Sequence, residues 1–263
     1  MAVITLTTDF GALYPASLKA AILNICADAT IVDISHTIPQ GDILSGAFAL
    51  YNTAHLFKKE TVHVAVVDPG VGTCRKALIL EAGGQYFVGP NNGLMIPAAH
   101  RCGKMRVWEI LVDKLFPEIS STFHGRDVFA PIGAYLATGK KPEDLGKQSD
   151  CYVCLWIEEV RIEDETIRGK VNYIDDFGNI VTSIPARPLS NIIEVGDILE
   201  IEGNALRFVD TYANANPEET IALIGSHGFL EIAVSMGNAA ERLSISGHPE
   251  ICFQRITSTY NGE

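Results

Sequence analysis

The stretch from Val62 to Gly72, VHVAVVDPGVG, indicates the fold class. Its first six residues are almost all apolar, which predicts a strand buried inside a sheet. Asp68 follows this strand directly and leads into the turn formers Pro69 and Gly70. In open α/β sheets, ligands bind beyond the ends of such strands, so Asp68 is a candidate site residue as well as a candidate turn former.

Strand and helix signals alternate on both sides of this stretch. Apolar runs predict further strands at VITLT (3–7), IVDIS (31–35), KALILEA (76–82) and QYFVGP (85–90). Apolar residues at helical spacing predict a helix between the first two strands and another from about Arg126 to Leu136. We therefore expect residues 1–158 to form an α/β domain with a mostly parallel sheet.

The character of the sequence changes after this point. Short strand-like runs are separated by Gly, Asn, Asp and Pro, and they include RGKVNYI, NIVTSI, DILEIEG, TIALIG and LEIAVS. This spacing is typical of a small barrel or sandwich. We expect residues 159–263 to form a smaller all-β, barrel-like domain.

The composition of the chain disfavours several classes of function. Its 263 residues carry 32 acidic and 20 basic side chains, a formal net charge of −12, with a pI near 5.0. Nucleic-acid binding needs clustered Lys and Arg, and the sequence contains no basic run. The first residues, MAVITLTTDFG, do not resemble a signal peptide, and no run approaches the roughly 18 apolar residues of a membrane span. We expect a cytoplasmic protein.

The cysteines do not indicate a metal centre or a disulfide framework. The six are Cys26, Cys74, Cys102, Cys151, Cys154 and Cys252, and we expect all of them to be reduced thiols. Cys151 and Cys154 form a lone CxxC, but CYVCLWIEEV alternates like a strand, which would place them on opposite faces. No second pair completes a zinc site, and neither H-E-x-x-H nor the phosphate-binding G-x-x-x-x-G-K-[ST] occurs. We expect no metal and no cofactor.

Other polar residues allow two interpretations each. Asp9, at the end of the first strand in TTDFG, can accept hydrogen bonds from a ribose diol or can cap its own turn. His124 lies just outside a predicted helix between Phe123 and Gly125, which suits an aromatic wall and a close backbone approach. Such a histidine on its own is more often structural.

The second domain holds a further group. Asp175, Phe177 and Asn179 alternate along a segment predicted to be extended, so that a carboxylate, a ring and an amide can point into one pocket. Ser226 and His227 lie in a Gly-flanked turn that lacks the G-x-S-x-G spacing of a serine hydrolase.

Taken together, these segments resemble the S-adenosyl-L-methionine hydrolases that form adenosine, also called SAM hydroxide adenosyltransferases, which are related to the fluorinase and chlorinase. The motifs occur in the family's order along essentially the whole chain: TTDFG, VDPGVG followed by Arg75, GPNNGL, TFHGRD-x-FAP, DDFGN-x-x-T and LEIAV-x-x-GNAA. The resemblance implies an N-terminal α/β domain, a C-terminal β-barrel and a homotrimer. Its active sites would lie between the first domain of one subunit and the barrel of the next.

The resemblance also implies roles for individual residues. It assigns a hydrolytic triad of Asp68, Arg75 and His124. The halogenating relatives carry Tyr at the positions of Asp68 and His124 and a small residue such as Ser at Gly125, a difference that favours water as the nucleophile here. The substrate-binding set implied outside the triad is Asp9, Phe123, Gly125, Asp175, Phe177, Asn179, Ser226 and His227.

Within that set, Asp9 would hold the ribose hydroxyls, while the barrel residues would meet the adenine and the methionine. Phe177 and Asn179 are assigned to the adenine, and Asp175 and Ser226 to the methionine end.

Two departures from the family pattern concern the methionine end. Tyr14 stands where the family usually has an Asp, and His227 stands where it usually has an Asn. These departures keep open one alternative to hydrolysis, a non-catalytic module that binds adenosine or S-adenosyl-L-methionine. A halide adenosyltransferase is a second alternative, which the residues of the triad disfavour.

Overall fold

The structure is a computed structural model of the chain, and it describes residues 2–256. The described residues fall into two compact units that divide between Trp156 and Ile157. Each unit is built around one sheet.

The first unit contains a seven-stranded sheet in the order β2-β1-β3-β5-β4-β6-β7. Its strands are β1 (Val3–Thr8), β2 (Thr30–Ser35), β3 (Val62–Val66), β4 (Ala77–Ala82), β5 (Gln85–Pro90), β6 (Met105–Ile110) and β7 (Gly146–Gln148). The pairs β1–β2, β1–β3 and β3–β5 are parallel, whereas β4 is antiparallel to β5 and β6, and β7 is antiparallel to β6. Only β4 and β7 therefore run against the others, and the predicted α/β class with a mostly parallel sheet is confirmed.

The helices of this unit are short and begin at recognisable signals. They are α1 (Pro15–Leu23), α2 (Ile43–Ala54), α3 (Ile96–Cys102), α4 (Val112–Leu115), α5 (Ala130–Ala137) and α6 (Pro142–Leu145). Proline occupies the start of α1, where its missing N–H costs nothing, and Asp42 caps α2 by accepting the Ser45 N–H at 3.0 Å. A π-helical turn, Gly125–Phe129, precedes α5, so the helix predicted from Arg126 begins with this wider turn.

Both faces of the sheet are covered, which explains why four of the five residues of β3 are apolar. Val62, Val64 and Val66 pack in the cluster that contains residues of α1 and α5. Ala65 and Val67, on the opposite face, pack with residues of α2 and α3. A strand buried on both faces favours a near-continuous apolar run, and this is the pattern found at VHVAVV, where His63 is the one polar residue.

Two neighbouring strands bring the candidate carboxylates to one edge of the sheet. Strands β1 and β3 are parallel partners, with Thr8 opposite Val66 at their carboxyl ends. Asp9 follows β1 immediately, and Asp68 follows β3 after a single residue. The two side chains therefore leave the sheet at the same edge.

The second unit contains β8 (Arg161–Glu163), β9 (Thr166–Ile174), β10 (Ile180–Pro185), β11 (Ile198–Ile201), β12 (Asn204–Phe208), β13 (Thr220–Ile224), β14 (Phe229–Val234) and β15 (Glu250–Ile256), with short helices α7 (Ala186–Leu189) and α8 (Ala239–Arg242) and a 3-10 turn, Tyr212–Asn214. The order is β10-β14-β13-β12-β11-β15-β9-β8, and β9 also pairs with β10. This last pairing closes seven strands into a ring. The predicted β-barrel is confirmed.

The prediction of a strand over CYVCLWIEEV is wrong. Residues 151–160 have no strand structure, and Cys151 and Cys154 are exposed. A side chain, and not a neighbouring strand, binds this segment: the N–H of Val153 donates to the side-chain oxygen of Asn91 at 2.8 Å. In the part of the chain described, no helix has the length and apolarity that crossing a bilayer requires.

Candidate active site

Asp68 and Arg75 form a two-point ion pair at the carboxyl edge of the first sheet. The Nε of Arg75 lies 2.9 Å from Oδ1 and 3.0 Å from Oδ2 of Asp68, and its Nη2 also donates to Oδ2. The side chains are 5% exposed for Asp68 and 12% exposed for Arg75. The planar guanidinium therefore fixes both the position and the rotation of the carboxylate.

His124 completes a contiguous trio. Its Nδ1 lies 2.8 Å from Nη2 of Arg75. Because a guanidinium can only donate, Nδ1 must be the acceptor, and the neutral ring carries its proton on Nε2. Burial, together with the nearby positive charge of Arg75, lowers the pKa of His124 from its usual 6.5. The ring is therefore neutral at pH 7.

The three side chains offer complementary groups to a water molecule. The Nε2–H of His124 is a donor, and the Asp68 carboxylate keeps acceptor lone pairs beyond those that Arg75 uses. A general base must have a free lone pair, and in this tautomer the imidazole has none. Within the trio, the carboxylate of Asp68 is the group able to accept a proton.

A cavity of about 250 Å³ extends from Asp68 and His124 to the end of β1. Its wall includes Asp9, Asp68, Phe123, His124 and Gly125. The structure thus brings the N-terminal candidates to one place, with Arg75 behind Asp68. One carboxylate oxygen of Asp9 accepts the N–H of Gly41 at 2.8 Å, which orients the side chain.

Aromatic rings form one side of this cavity. The rings of Phe10 and Tyr14 meet Phe123 edge-on, at centroid distances of 5.6 and 5.5 Å. A Cβ at Gly125 would lie 2.9 Å from two ring carbons of Phe10, so that position has no room for a larger residue unless the ring moves. Tyr14 lines the same cavity and is half-exposed.

A larger cavity of about 550 Å³ touches Arg75 and His124 from another side. Lys76 and Cys74 also line it, but Asp9, Asp68 and Phe123 do not. It therefore lacks both the Asp9 carboxylate and the aromatic wall of the smaller cavity.

In the barrel, Asp175, Phe177 and Asn179 line one cavity of about 830 Å³. They meet there for a different reason from the one expected, because 175–179 is a turn between β9 and β10 rather than an extended segment. The carboxylate of Asp175 accepts the N–H groups of Phe177 and Asn179, at 2.9 and 2.8 Å, and the side-chain amide of Asn179, at 3.0 Å. Asp175 therefore organises the turn that presents the other two.

Ser226 and His227 do not line this cavity. Nδ1 of His227 accepts the N–H of Phe229 at 3.1 Å, and Nε2 lies 2.9 Å from Glu231. Both ring nitrogens are thus engaged by neighbours within the second unit. Ser226 is exposed in the adjoining turn.

Two residues of the barrel were missed by the sequence analysis. Glu231 is buried and accepts hydrogen bonds from His227 and from the hydroxyl of Tyr212, and Tyr212 lines the barrel cavity. Burial and the neighbouring carboxylate of Glu231 raise the pKa of Tyr212, which therefore stays protonated. A glutamate inside the apolar run FLEIAV was the available signal; nothing in the sequence marks Tyr212.

No group of three or more His, Cys, Asp or Glu within residues 2–256 is arranged to hold a metal ion.

The two units match two family models. Residues 4–146 match the SAM hydroxide adenosyltransferase N-terminal domain, and residues 169–252 match the corresponding C-terminal domain. Together these models account for most of the chain.

Whole proteins align over the same length. The chain is 39% identical to an (R)-S-adenosyl-L-methionine hydrolase of Methanocaldococcus jannaschii, over 95% of this chain and 94% of that protein. It is 34% identical to the protein of the same name from Salinispora tropica, over 92% and 94%. A fluorinase from Nocardia brasiliensis is more distant, at 27% identity over 86% and 87%.

The fold agrees with these alignments. A crystal structure of an uncharacterised conserved protein from Thermotoga maritima superposes with a TM-score of 0.87 at 33% identity, covering 96% of this chain and all of the other. Because both units match in order and the relatives align almost end to end, the chain belongs to the SAM hydroxide adenosyltransferase family.

Proposed function

We propose that this protein is an enzyme that hydrolyses S-adenosyl-L-methionine to adenosine and L-methionine. Four relatives named (R)-S-adenosyl-L-methionine hydrolase align with at least 90% of this chain at 33–39% identity. The observation that carries the proposal is the contact of Asp68, Arg75 and His124 beside a cavity that also holds Asp9.

The chemistry requires an activated water molecule. The water oxygen forms a bond to the ribose 5′-carbon while the carbon–sulfur bond breaks, and its electron pair goes to the sulfur. The sulfonium leaves as a neutral thioether, so it needs no general acid, and one proton is released. The difficult partner is water, whose pKa is near 15.7.

In this proposal the three residues have different roles. Asp68 accepts the proton of the attacking water, and the Nε2–H of His124 donates to the water oxygen and orients it. Arg75 holds both groups through one guanidinium. A base positioned in this way contributes roughly 10²–10⁴-fold to the rate. The negative charge of Asp68 would repel a halide ion, which disfavours halogenation.

The substrate is held by the remaining candidates. Asp9 binds the ribose hydroxyls with the carboxylate oxygen that Gly41 does not occupy, and Phe123 packs against the nucleoside. In the barrel, Phe177 and Asn179 meet the adenine.

The methionine end is held by Asp175 and Ser226. In this proposal His227 shapes the turn around Ser226, because its ring nitrogens are engaged by Phe229 and Glu231.

The assembly is proposed to be a homotrimer in which a neighbouring subunit covers the barrel cavity. Phe177 is 78% exposed and Met236 94% exposed at this cavity, and such apolar side chains favour a protein partner. Light scattering should give a mass near three times 28.5 kDa, and a fully active monomer would refute the arrangement. We place the protein in the cytoplasm, where its six free cysteines would stay reduced.

Product analysis tests the activity. The protein is incubated with S-adenosyl-L-methionine, with and without chloride, and products are separated by chromatography. Adenosine and methionine in equal amounts, independent of chloride, are expected. Formation of 5′-chloro-5′-deoxyadenosine would indicate a halide adenosyltransferase, and binding without turnover would indicate a non-catalytic module.

A further inference from the structure

The loop Gly89–Gly93, GPNNG, contains two asparagines to which no role has yet been given. Both asparagines follow β5, the parallel neighbour of β3, and thus lie at the same edge of the sheet as Asp68. Their polar side chains are therefore placed to act on the segment that carries Asp68.

Asn92 contacts that segment directly. Its Nδ2 donates to the main-chain carbonyl of Val67 at 2.8 Å, and its Oδ1 accepts the N–H of Leu94 at 3.2 Å. These two partners fix the orientation of the amide, since one can only accept and the other can only donate. Val67 lies one residue past the end of β3 and immediately before Asp68.

The peptide between Val67 and Asp68 is constrained from two directions. The Val67 side chain is fully buried and packed so closely against α2 that a Cβ at Gly46 would lie 3.0 Å from its Cγ2. The main-chain carbonyl of Val67 is bound by the side chain of Asn92. This hydrogen bond is therefore placed to influence the direction in which the chain leaves β3 towards Asp68.

Asn91 makes different contacts. Its side-chain oxygen accepts the N–H of Val153 at 2.8 Å, away from Asp68. Its main-chain N–H donates to the carbonyl of Lys76, the residue after Arg75, at 2.9 Å. The loop thus touches the chain beside both members of the ion pair, but only the Asn92 side chain acts on the Asp68 side.

We propose that Asn92 is a positioning residue for hydrolysis, which sets the Asp68 carboxylate against Arg75 and the attacking water by holding the Val67 carbonyl. The inference rests on the proposed function of Asp68. Asn92 acts through Asp68 and is not among the residues that line the cavity of Asp9 and Phe123.

The test is Asn92→Asp, which keeps the shape of the side chain and replaces the donor by an oxygen that repels the Val67 carbonyl. We expect kcat to fall about 10- to 100-fold, because displacements of about 1 Å at a reacting group have effects of this size. KM should change less than about twofold, since substrate contacts are intact. Asn91→Asp is the matched control: it makes the same chemical change one residue away, retains the oxygen that accepts from Val153, and should leave kcat near the wild-type value.

A double-mutant cycle distinguishes positioning of Asp68 from a general structural effect of Asn92. In an Asp68→Asn background, Asn92→Asp should lower the residual kcat less than threefold, because its target is already lost. If Asn92→Asp does not fold, as judged by circular dichroism, Asn92→Ala replaces it in the same cycle.

The possible outcomes distinguish failure of the positioning role from failure of the proposed function. An Asn92 variant with wild-type kcat, or with an equal loss in both backgrounds, overturns the positioning role. An Asp68→Asn enzyme with full activity instead overturns the proposed function on which the inference rests.

Discussion

Replacing Arg75 by lysine tests whether one guanidinium organises the site. Arg75 reaches Asp68 through Nε and Nη2 and His124 through Nη2. A lysine keeps the positive charge but has a single ammonium on a flexible stem, which cannot make a flat two-point contact and reach the imidazole as well. At least two charge-assisted hydrogen bonds are lost, each contributing about 1.5–3 kcal/mol. A loss of about 3 kcal/mol at the reacting groups corresponds to about a hundredfold in rate.

We therefore expect kcat of Arg75→Lys to fall about 100-fold or more, with KM for S-adenosyl-L-methionine within about threefold of wild type. Steady-state kinetics with a chromatographic product assay measure both values. Arg106→Lys is the control: Arg106 pairs with Glu81 on an exposed part of the sheet, and its replacement should leave kcat unchanged. The reasoning is refuted if Arg75→Lys keeps a third or more of the wild-type kcat.

Three further predictions follow from single side chains. Asp9→Ala should weaken adenosine binding by about 2–3 kcal/mol in calorimetry, through loss of charge-assisted bonds to the ribose; unchanged affinity would leave Asp9 as a turn former. Burial lowers the pKa of His63 to about 4, so between pH 6.5 and 4 the unfolded chain binds a proton that the folded chain does not. Stability in urea should then fall by about 2 kcal/mol from pH 7 to pH 5, and His63→Gln should remove that part of the slope. Because the pKa of His124 is lowered, kcat should be retained as the pH falls to 6.5 and should decline only at lower pH. A decline in kcat that begins above pH 6.5 would contradict a neutral His124 ring.

The features predicted from the sequence are those set by local pattern. The apolar run before Asp68 predicts a buried strand because a strand covered on both faces can hold few polar residues, and β3 is such a strand. The ends of parallel strands meet at one edge, so Asp9 and Asp68 could be placed near each other from the strand assignments.

The features that pattern did not predict depend on contacts between residues distant in sequence. Alternation predicted a strand at 151–160, but Val153 is bound by the Asn91 side chain, 62 residues away, and no strand partner is provided. Alternation also predicted an extended segment at 175–179, where hydrogen bonds to the Asp175 carboxylate form a turn. The pairing of His227 with Glu231 depends on the hairpin between β13 and β14, which sets the two side chains together.

The central claim is that water, oriented by Asp68 and His124, attacks the ribose 5′-carbon, and isotope labelling tests it most directly. The enzyme is incubated with S-adenosyl-L-methionine in ¹⁸O-water, and adenosine and methionine are analysed by mass spectrometry. The account predicts one ¹⁸O atom in the 5′-hydroxyl of adenosine and none in methionine. Adenosine without label, or methionine carrying it, would contradict attack of water at the 5′-carbon.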